Sequence, residues 1–290
     1  MSVAEDVSLD ESTPVDVPAA TPKKRRNWRL TIGVVVPPLI VAALVLGAWY
    51  VATYVVLDEQ RRFLLPPPHA VVTESFSDKP TRDEILEATY QTGKVALTGL
   101  VIASLIGIAV AVAMSQARWV ERSLFPWAVV LQTVPILALV PLIGFWWGFD
   151  FRSRVLVCVL ISLFPMITST LFGLRSAPAG LHDLFTLRHA SRWTRLRKLQ
   201  FPAALPAIFV GLQTSAGLSV IGAIVGDFFF RQGEPGIGRL IDNYRAELAS
   251  ANLFAAIMAS SLLGIVAFWL VGLIGERVVG RWHETGRHRQ

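Results

Sequence analysis

Long apolar stretches separated by short polar segments fill most of this chain. Six stretches are long and apolar enough to form transmembrane helices, namely Thr31–Leu57, Val95–Met114, Leu124–Trp147, Val155–Leu174, Ala203–Val225 and Leu253–Ile274. A helix needs about 20 apolar residues to cross the bilayer core, and the first five stretches contain no charged side chain. Six buried helices of a soluble protein would need a polar surface that this sequence lacks. The pattern predicts an all-α integral membrane protein with six transmembrane helices.

Composition agrees with a membrane protein, and charge gives its orientation. Hydrophobic residues make up 53% of the chain and charged residues 17%, against roughly 25% charged residues in soluble proteins. A net charge of +6 could indicate a nucleic-acid partner. However, most Lys and Arg residues lie in the termini and after the second and fourth spans, whereas Asp58–Thr92 carries more acids than bases. This positive-inside bias predicts that both termini are cytoplasmic and that nucleic acid is not a partner.

The polar termini flank one membrane domain. Residues 1–28 are predicted to be a disordered cytoplasmic tail, since they begin with an acidic segment rich in Ser, Thr, Pro and Ala. Residues 29–276 form the membrane domain, and residues 277–290 form a basic cytoplasmic tail. After the first span, "LLPPPH" predicts an extended segment, and His69–Phe76 a short surface helix.

The sequence offers no catalytic or metal-binding motif. Cys158 is the sole cysteine, and the five histidines fall in loops or tails. Neither a metalloprotease helix motif, a nucleophile elbow nor a phosphate-binding loop occurs. We therefore expect no catalytic residue, no metal and no bound cofactor, so that any ATP and Mg²⁺ must be held by another chain.

One feature of the second span suggests a structural role. Small residues recur every four positions in the second span, at Gly99, Ala103, Gly107 and Ala111. On a helix they form one smooth stripe that lets another helix approach closely, and this makes the stripe a candidate packing face for a dimer. The alternative is that small residues are common in membrane helices.

Prolines interrupt the third span, and polar residues precede one of them. Because a proline leaves a backbone carbonyl without its usual partner, a broken or kinked helix is expected near Pro135. Such a break could line a solute pathway or serve packing alone. The pathway candidates are Gln132, Thr133, Pro135, Gln213 and Asp227. Of these, Asp227 is either a helix-end surface group or a gate residue.

The polar segment 175–202 is the longest connection on the predicted cytoplasmic side and should contain helices of its own. On a helical wheel Trp193, Leu196 and Leu199 share one side, while Arg195 and Lys198 lie on the other. This pattern is typical of a helix at the membrane surface and equally of a helix docked in a groove of a partner protein.

The same segment resembles the coupling loop of binding-protein-dependent ABC importer permeases. In that family's signature, Glu-Ala-Ala precedes three residues, a Gly, nine residues and Ile-x-Leu-Pro. Here "LQFP" stands in the last four places, and "ASRW" follows the glycine position as it does in the nitrate/taurine/sulfonate-type branch. His189 occupies the glycine position, and "DLF" replaces Glu-Ala-Ala. Since glycine permits a left-handed turn that histidine tolerates less well, these departures bear on the geometry of the coupling contact.

Three further segments resemble this branch in the same order, across about residues 35–282. They are "LLPPPHAVV", "QTVPILALVPLIGFWWGFDFRSRV" and "GAIVGDFFFRQGEPGIGRLI". The resemblance implies a type I importer permease fold in the bacterial inner membrane, as a dimer, most simply a homodimer, enclosing one pathway. It also implies two ATPase subunits and a substrate-binding protein or lipoprotein as partners. The residues implied in ATPase coupling are Asp183, Leu184, Phe185, His189, Ala190, Ser191, Arg192, Trp193, Leu196, Leu199 and Pro202.

The branch suggests nitrate, taurine or alkanesulfonates as substrates, while "SVIGAIVGDF" resembles relatives associated with pyrimidine, thiamine-precursor or riboflavin uptake. Two other classes stay open from the residues alone. A secondary carrier would need membrane-buried charge or an internal repeat, and a non-transporting membrane scaffold would need a partner motif. The sequence shows none of these features.

Overall fold

A computed structural model describes residues 28–280 of the chain, with side chains from residue 36 onward. Within residues 28–280 the chain is helical and contains no β-strand. The α-helices are α1 (Trp28–Val51), α2 (Pro68–Ala70), α3 (Lys79–Gln116), α4 (Arg118–Thr133), α5 (Ile136–Trp147), α6 (Phe151–Arg175), α7 (Ala179–Leu187), α8 (Arg192–Arg195), α9 (Phe201–Phe229), α10 (Ile237–Ala246) and α11 (Ser250–Val279). Ala52–Val56, Val71–Phe76 and Leu196–Gln200 are π-helical, and Glu59–Leu64 is a 3₁₀-helix. The predicted tail at residues 1–28 lies outside the described residues except for its last position, as does most of the predicted basic tail.

Five of the six predicted spans are continuous helices in the described part of the chain. They are Val36–Val56, Lys79–Gln116, Phe151–Arg175, Arg192–Phe229 and Ser250–Val279. In the fourth of these, α8, a π-helical turn and α9 follow one another without a break.

The third predicted span is broken, as its prolines suggested. The helices α4 and α5 are bent by 97° relative to each other. Val134 is extended, with ψ of 127°, and Pro135 follows it with ψ of 97°. A proline disfavours the helical conformation of the residue before it and has no N–H to donate. The two helices together make up the sixth candidate span.

The described chain divides into two compact units between Ala48 and Trp49. In the first unit, the described residues form the body of α1. The second unit begins in the last turn of α1 and contains all the other helices. Every contact discussed below lies in the second unit.

Close helix packing forms the core of the second unit. The helices α3 and α6 run parallel, because Gly99 lies against Cys158 and Gly107 lies against Met166, where an added Cβ would come within 2.8 Å of Met166 Cγ. The helix α9 runs antiparallel to them, because Gly222 packs against Cys158 while Gly211 packs against Ser169. Glycine at these positions removes the side chain that would hold the backbones apart.

The small-residue stripe on α3 is therefore occupied within the chain. Ala103 and Ala111 are fully buried, and Gly99 and Gly107 face α6. Its interpretation as a packing face for a dimer is wrong, because α6 of the same chain already covers it.

The bundle has two distinct ends. At one end, α3 and α6 terminate and α9 begins, with α7 and α8 in the connection; we call it the loop end. At the other, α3, α6 and α11 begin, and α10 follows the end of α9; we call it the α10 end. Asp78 caps α3 at the α10 end, where its Oδ2 accepts a hydrogen bond of 3.2 Å from the backbone N–H of Thr81.

The segment after the triple proline is helical, but it is not simply a surface helix. Its residues form α2 and the π-helical turn Val71–Phe76. Val71 and Ser75 are fully buried, and the hydroxyl of Ser75 donates to Oδ1 of Asn252 over 2.8 Å. This segment therefore packs on the start of α11 at the α10 end.

Candidate functional site

A tight left-handed turn joins α7 to α8 at the loop end. His189 has φ of 49°, so it adopts the left-handed conformation that a glycine in its place would adopt at less cost. The backbone N–H of His189 donates to the carbonyl of Thr186 over 2.9 Å, and that of Ala190 donates to Phe185 over 3.0 Å. These bonds close the carboxyl end of α7.

The helix after the turn is fixed at its start and tied back to α7. Ser191 caps α8, since its Oγ accepts from the backbone N–H of Thr194 over 3.1 Å. Arg195 Nη2 donates to Oγ1 of Thr186 over 3.0 Å. The turn and its two helices therefore form a defined unit.

This unit presents apolar side chains that nothing in the described chain covers. Leu187 is 78% exposed and Trp193 is 68% exposed, while Leu181 and Leu184 are exposed to a lesser degree. Asp183, His189, Ser191, Arg192 and Pro202 are also exposed, whereas Phe185 and Ala190 are partly buried. An exposed cluster of large apolar side chains marks a lipid or protein contact.

Two residues assigned to this surface from the sequence lie elsewhere. Leu196 is 5% exposed and Leu199 is 7% exposed. Leu196 belongs to a core cluster with Met114, Leu174 and Ala204. Their assignment to a partner contact is wrong because they fasten the helix to the bundle. Only Trp193, of the three apolar residues that shared a side on the wheel, points away from the bundle.

An ion pair anchors the start of this connection. Arg175, in the last turn of α6, donates to both carboxylate oxygens of Glu121 in α4, with Nη1 2.7 Å from Oε1. Two parallel bonds between guanidinium and carboxylate fix orientation as well as distance. Nothing in the sequence pattern pointed to Glu121.

A buried ion pair lies at the α10 end. Asp227, near the end of α9, is 1% exposed, and its Oδ1 accepts from Arg154 Nη1 over 3.2 Å. Its Oδ2 accepts from the hydroxyl of Thr92 over 2.6 Å, and this hydroxyl accepts from the backbone N–H of Ile237 over 2.8 Å. The interpretation of Asp227 as a helix-end surface group is wrong.

Arg154 also holds the connection between α9 and α10. Its Nη1 donates to the carbonyl of Glu234 over 2.9 Å, and its Nη2 donates to those of Phe230 over 3.1 Å and Gln232 over 2.6 Å. One guanidinium thus joins α6, α9 and the loop after α9. Arg154 and Thr92 were not predicted from the sequence, although the isolated charge of Asp227 was a signal that a buried partner exists.

The α10 end has a second, partly buried polar contact, which joins α10 to the first turns of α3. The hydroxyl of Tyr244 in α10 donates to Oε2 of Glu84 over 2.7 Å. Burial, together with this neighbouring carboxylate, raises the pKa of the Tyr244 phenol. The phenol therefore stays a protonated donor throughout the physiological pH range.

The remaining pathway candidates do not form one site with Asp227. Gln132, Thr133 and Pro135 lie exposed at the bend between α4 and α5. Gln213 lies in the middle of α9 and its Nε2 approaches the carbonyl of Phe268 in α11 at 3.4 Å. The candidates are spread over the bend, the helix middle and the α10 end.

Comparison with known proteins gives a consistent result. Residues 103–280 match a family model described as "Binding-protein-dependent transport system inner membrane component". The chain is 32% identical to the riboflavin transport system permease protein RibX of Chloroflexus aurantiacus, over 80% of this chain and 85% of that protein. It is 30% identical to the formylaminopyrimidine transport permease protein ThiX of Halalkalibacterium halodurans, over 77% and 87% of the two chains.

A sulfonate permease and a solved structure extend the likeness. The putative aliphatic sulfonates transport permease protein SsuC of Escherichia coli is 30% identical, over 91% of this chain and 96% of that protein. Among solved structures, a chain of the inward-facing MetNI methionine ABC transporter superposes with a TM-score of 0.58 at 15% identity. The superposition covers 70% of this chain and 97% of that one, and it is evidence of a shared fold.

Proposed function

The chain belongs to the family of binding-protein-dependent transport system inner membrane components, and we propose that α7, the His189 turn and Trp193 form its contact with the ATPase. As a member of this family it is a multi-pass inner-membrane permease subunit of an ABC importer. It is not itself an enzyme, since a separate subunit hydrolyses ATP. Secondary carriers and membrane scaffolds are thereby excluded.

The observation that carries the proposal is a hydrogen-bonded unit with an uncovered apolar face. Leu187 and Trp193 are the most exposed large apolar residues of the connection. Capping at Ser191 and the bond from Arg195 to Thr186 hold the unit in one conformation. Tryptophan side chains such as that of Trp193 are typical of the energetic centres of protein interfaces.

The geometry also supports a route for transmitting force. Arg192–Phe229 is one helix of 38 residues, so at 1.5 Å per residue it extends over about 57 Å. Near the start of this helix, Leu196 is packed into the core. A displacement of Trp193 by the ATPase therefore moves the part of the helix that is packed in the core, and the movement is carried along the helix. The opposite end of the helix carries Asp227, which is fastened to α6 by Arg154. Movement at the loop end thereby reaches the α10 end.

The proposed orientation follows from this contact. The loop end faces the cytoplasm, where the ATPase is, and both termini lie on the same side. The α10 end then faces outward and meets the substrate-binding protein. Two copies of the chain form a homodimer around one pathway, which opens to either side in turn. The excess of Lys and Arg in the predicted cytoplasmic segments supports this orientation.

A charge-introducing variant tests the contact. Leu187→Asp and Trp193→Asp each place a carboxylate in the apolar face, and we expect loss of ATPase co-purification together with loss of solute uptake. Leu248→Asp is the matched control for ATPase co-purification, which it should leave unchanged, because Leu248 is 65% exposed at the α10 end and away from the proposed contact. Normal co-purification of the ATPase with both loop-end variants would contradict the proposal.

The proposed substrate is a small heteroaromatic compound, with alkanesulfonates or nitrate as the second class. Two of the relatives described above are named for riboflavin and formylaminopyrimidine transport, and one for aliphatic sulfonates. Calorimetric titration of the cognate binding protein with one compound of each class tests this choice. Uptake of the compound must then depend on the permease. Binding of an alkanesulfonate but no heteroaromatic compound would refute the first class.

A further inference from the structure

A basic groove at the loop end contains the ion pair between Arg175 and Glu121 but has no role in the proposed ATPase contact. It has a volume of about 760 Å³, and its charged lining comprises Arg118, Glu121, Arg122 and Arg175. Phe125 and Pro126 form an apolar wall. Three guanidinium groups and one carboxylate thus face one open space. The groove is separate from the exposed face of Leu187 and Trp193.

The charges of the groove are not balanced within the described chain. Glu121 is engaged by Arg175 through both of its carboxylate oxygens. Among the described residues, Arg118 and Arg122 donate no side-chain hydrogen bond, although both are close enough to attract the Glu121 carboxylate. The groove therefore carries two excess positive charges and unused guanidinium donors. A guanidinium group can bind a phosphate through two parallel hydrogen bonds to two of its oxygens.

The groove lies at the depth where a membrane span ends. The span α3 ends at Gln116, and α4 begins two residues later. Trp119 is 73% exposed and Trp127 is 69% exposed on α4. Exposed tryptophan side chains beside a span are typical of the boundary between lipid headgroups and acyl chains. A ligand of this groove would therefore lie at the level of the lipid headgroups.

We propose that the groove lined by Arg118, Arg122 and Arg175 binds the phosphate headgroup of an anionic phospholipid, whose acyl chains lie along Phe125 and Pro126. Positive charge beside a span serves membrane insertion generally, but insertion alone requires no groove with an apolar wall. A soluble phosphate ion would leave that wall without a contact. A zwitterionic lipid would leave the excess charge uncompensated.

Native mass spectrometry of the full-length chain tests the proposal. The chain is titrated with phosphatidylglycerol and with phosphatidylcholine of the same acyl chains. We expect about tenfold or greater preference for phosphatidylglycerol, given the strength of attraction between arginine and anionic lipid. The double variant Arg118→Gln/Arg122→Gln should lose this preference. The control Arg61→Gln/Arg152→Gln removes as much charge from exposed positions on other elements, and it should retain the preference.

Two further arms make the result decisive. Glu121→Gln removes the competing carboxylate, so binding of phosphatidylglycerol should become tighter in that variant. Inorganic phosphate at millimolar concentration should not displace the lipid. The proposal is overturned by equal binding of the two lipids, by an unchanged preference in Arg118→Gln/Arg122→Gln, by weaker binding in Glu121→Gln, or by displacement with phosphate.

Discussion

His189 stands at a backbone position that suits glycine better. Its φ of 49° lies in the left-handed region, which costs residues with a Cβ roughly 1–2 kcal/mol. We expect His189→Gly to stabilise the folded protein, by up to about 1 kcal/mol after the larger chain entropy of glycine in the unfolded state is subtracted. Thermal unfolding of the purified protein measures this. The matched control is His182→Gly inside α7, which should lower stability. A similar change in both variants would contradict the left-handed conformation of His189.

The ion pair between Arg154 and Asp227 gives a second prediction for single residues. Both side chains are nearly or fully buried, so Arg154→Gln leaves the Asp227 carboxylate without its charge partner. Removing one partner of a buried pair costs roughly 3–5 kcal/mol. It also releases the carbonyls of Phe230 and Gln232. Chemical denaturation should show a large loss of stability. Arg152→Gln, two residues away and exposed, should show almost none; equal stability of the two variants would refute the argument.

The sequence predicts the roles of some single residues and not of others. It identified His189 as a departure at a turn because glycine has a distinct conformational range, and that range depends on one residue alone. It did not find the partner of Asp227, because Arg154 lies 73 positions away in the chain. It also placed Leu196 on a partner surface. A helical wheel sorts residues by side but does not say which side faces the bundle.

Close packing of α3 against α6 gives a prediction for whole helices. A Cβ at Gly99 would overlap the side chain of Cys158, so Gly99→Ala must separate the helices and should cost about 1–3 kcal/mol. Gly217, inside α9, has nothing within 4 Å of an added Cβ. Gly217→Ala should therefore be neutral, or stabilising by about 0.5–1 kcal/mol because alanine favours a helix. Thermal unfolding of the two variants makes the comparison, and equal unfolding temperatures would contradict it.

The helices themselves were largely predictable from the apolar pattern, with two informative differences. The bend at Pro135 was expected because proline acts locally on its own helix. The start of α3 was not, since the apolar pattern began at Val95 whereas the helix begins at Lys79. Its first turns bury Ile85 and Ala88 against α10 and α11 and expose polar residues. Hydropathy alone therefore marks the part in lipid and misses the helical extension beyond it.

At the scale of the molecule, the partners of each helix could not be deduced from the sequence. The stripe on α3 predicted a close contact but not the identity of the neighbour, which is α6 of the same chain. In the folded chain, α6 covers this smooth face of α3. In the proposed homodimer, the contact between copies would therefore use other surfaces, such as the exposed sides of α5, where Phe145 is 76% exposed. The pathway between two copies would then lie outside the packed core of each one.

Orientation in the membrane is the property of the whole molecule that site-directed labelling tests directly. Cys158 is fully buried, so the native chain should react little with a membrane-impermeant maleimide. Leu187→Cys and Leu248→Cys place an exposed thiol at the loop end and at the α10 end. In right-side-out vesicles we expect labelling only of Leu248→Cys, and in inside-out vesicles only of Leu187→Cys. Co-expression with the ATPase should protect Leu187→Cys and leave Leu248→Cys reactive. The reverse sidedness would overturn the proposed orientation, whereas correct sidedness without protection would leave the orientation intact and remove Leu187 from the ATPase contact.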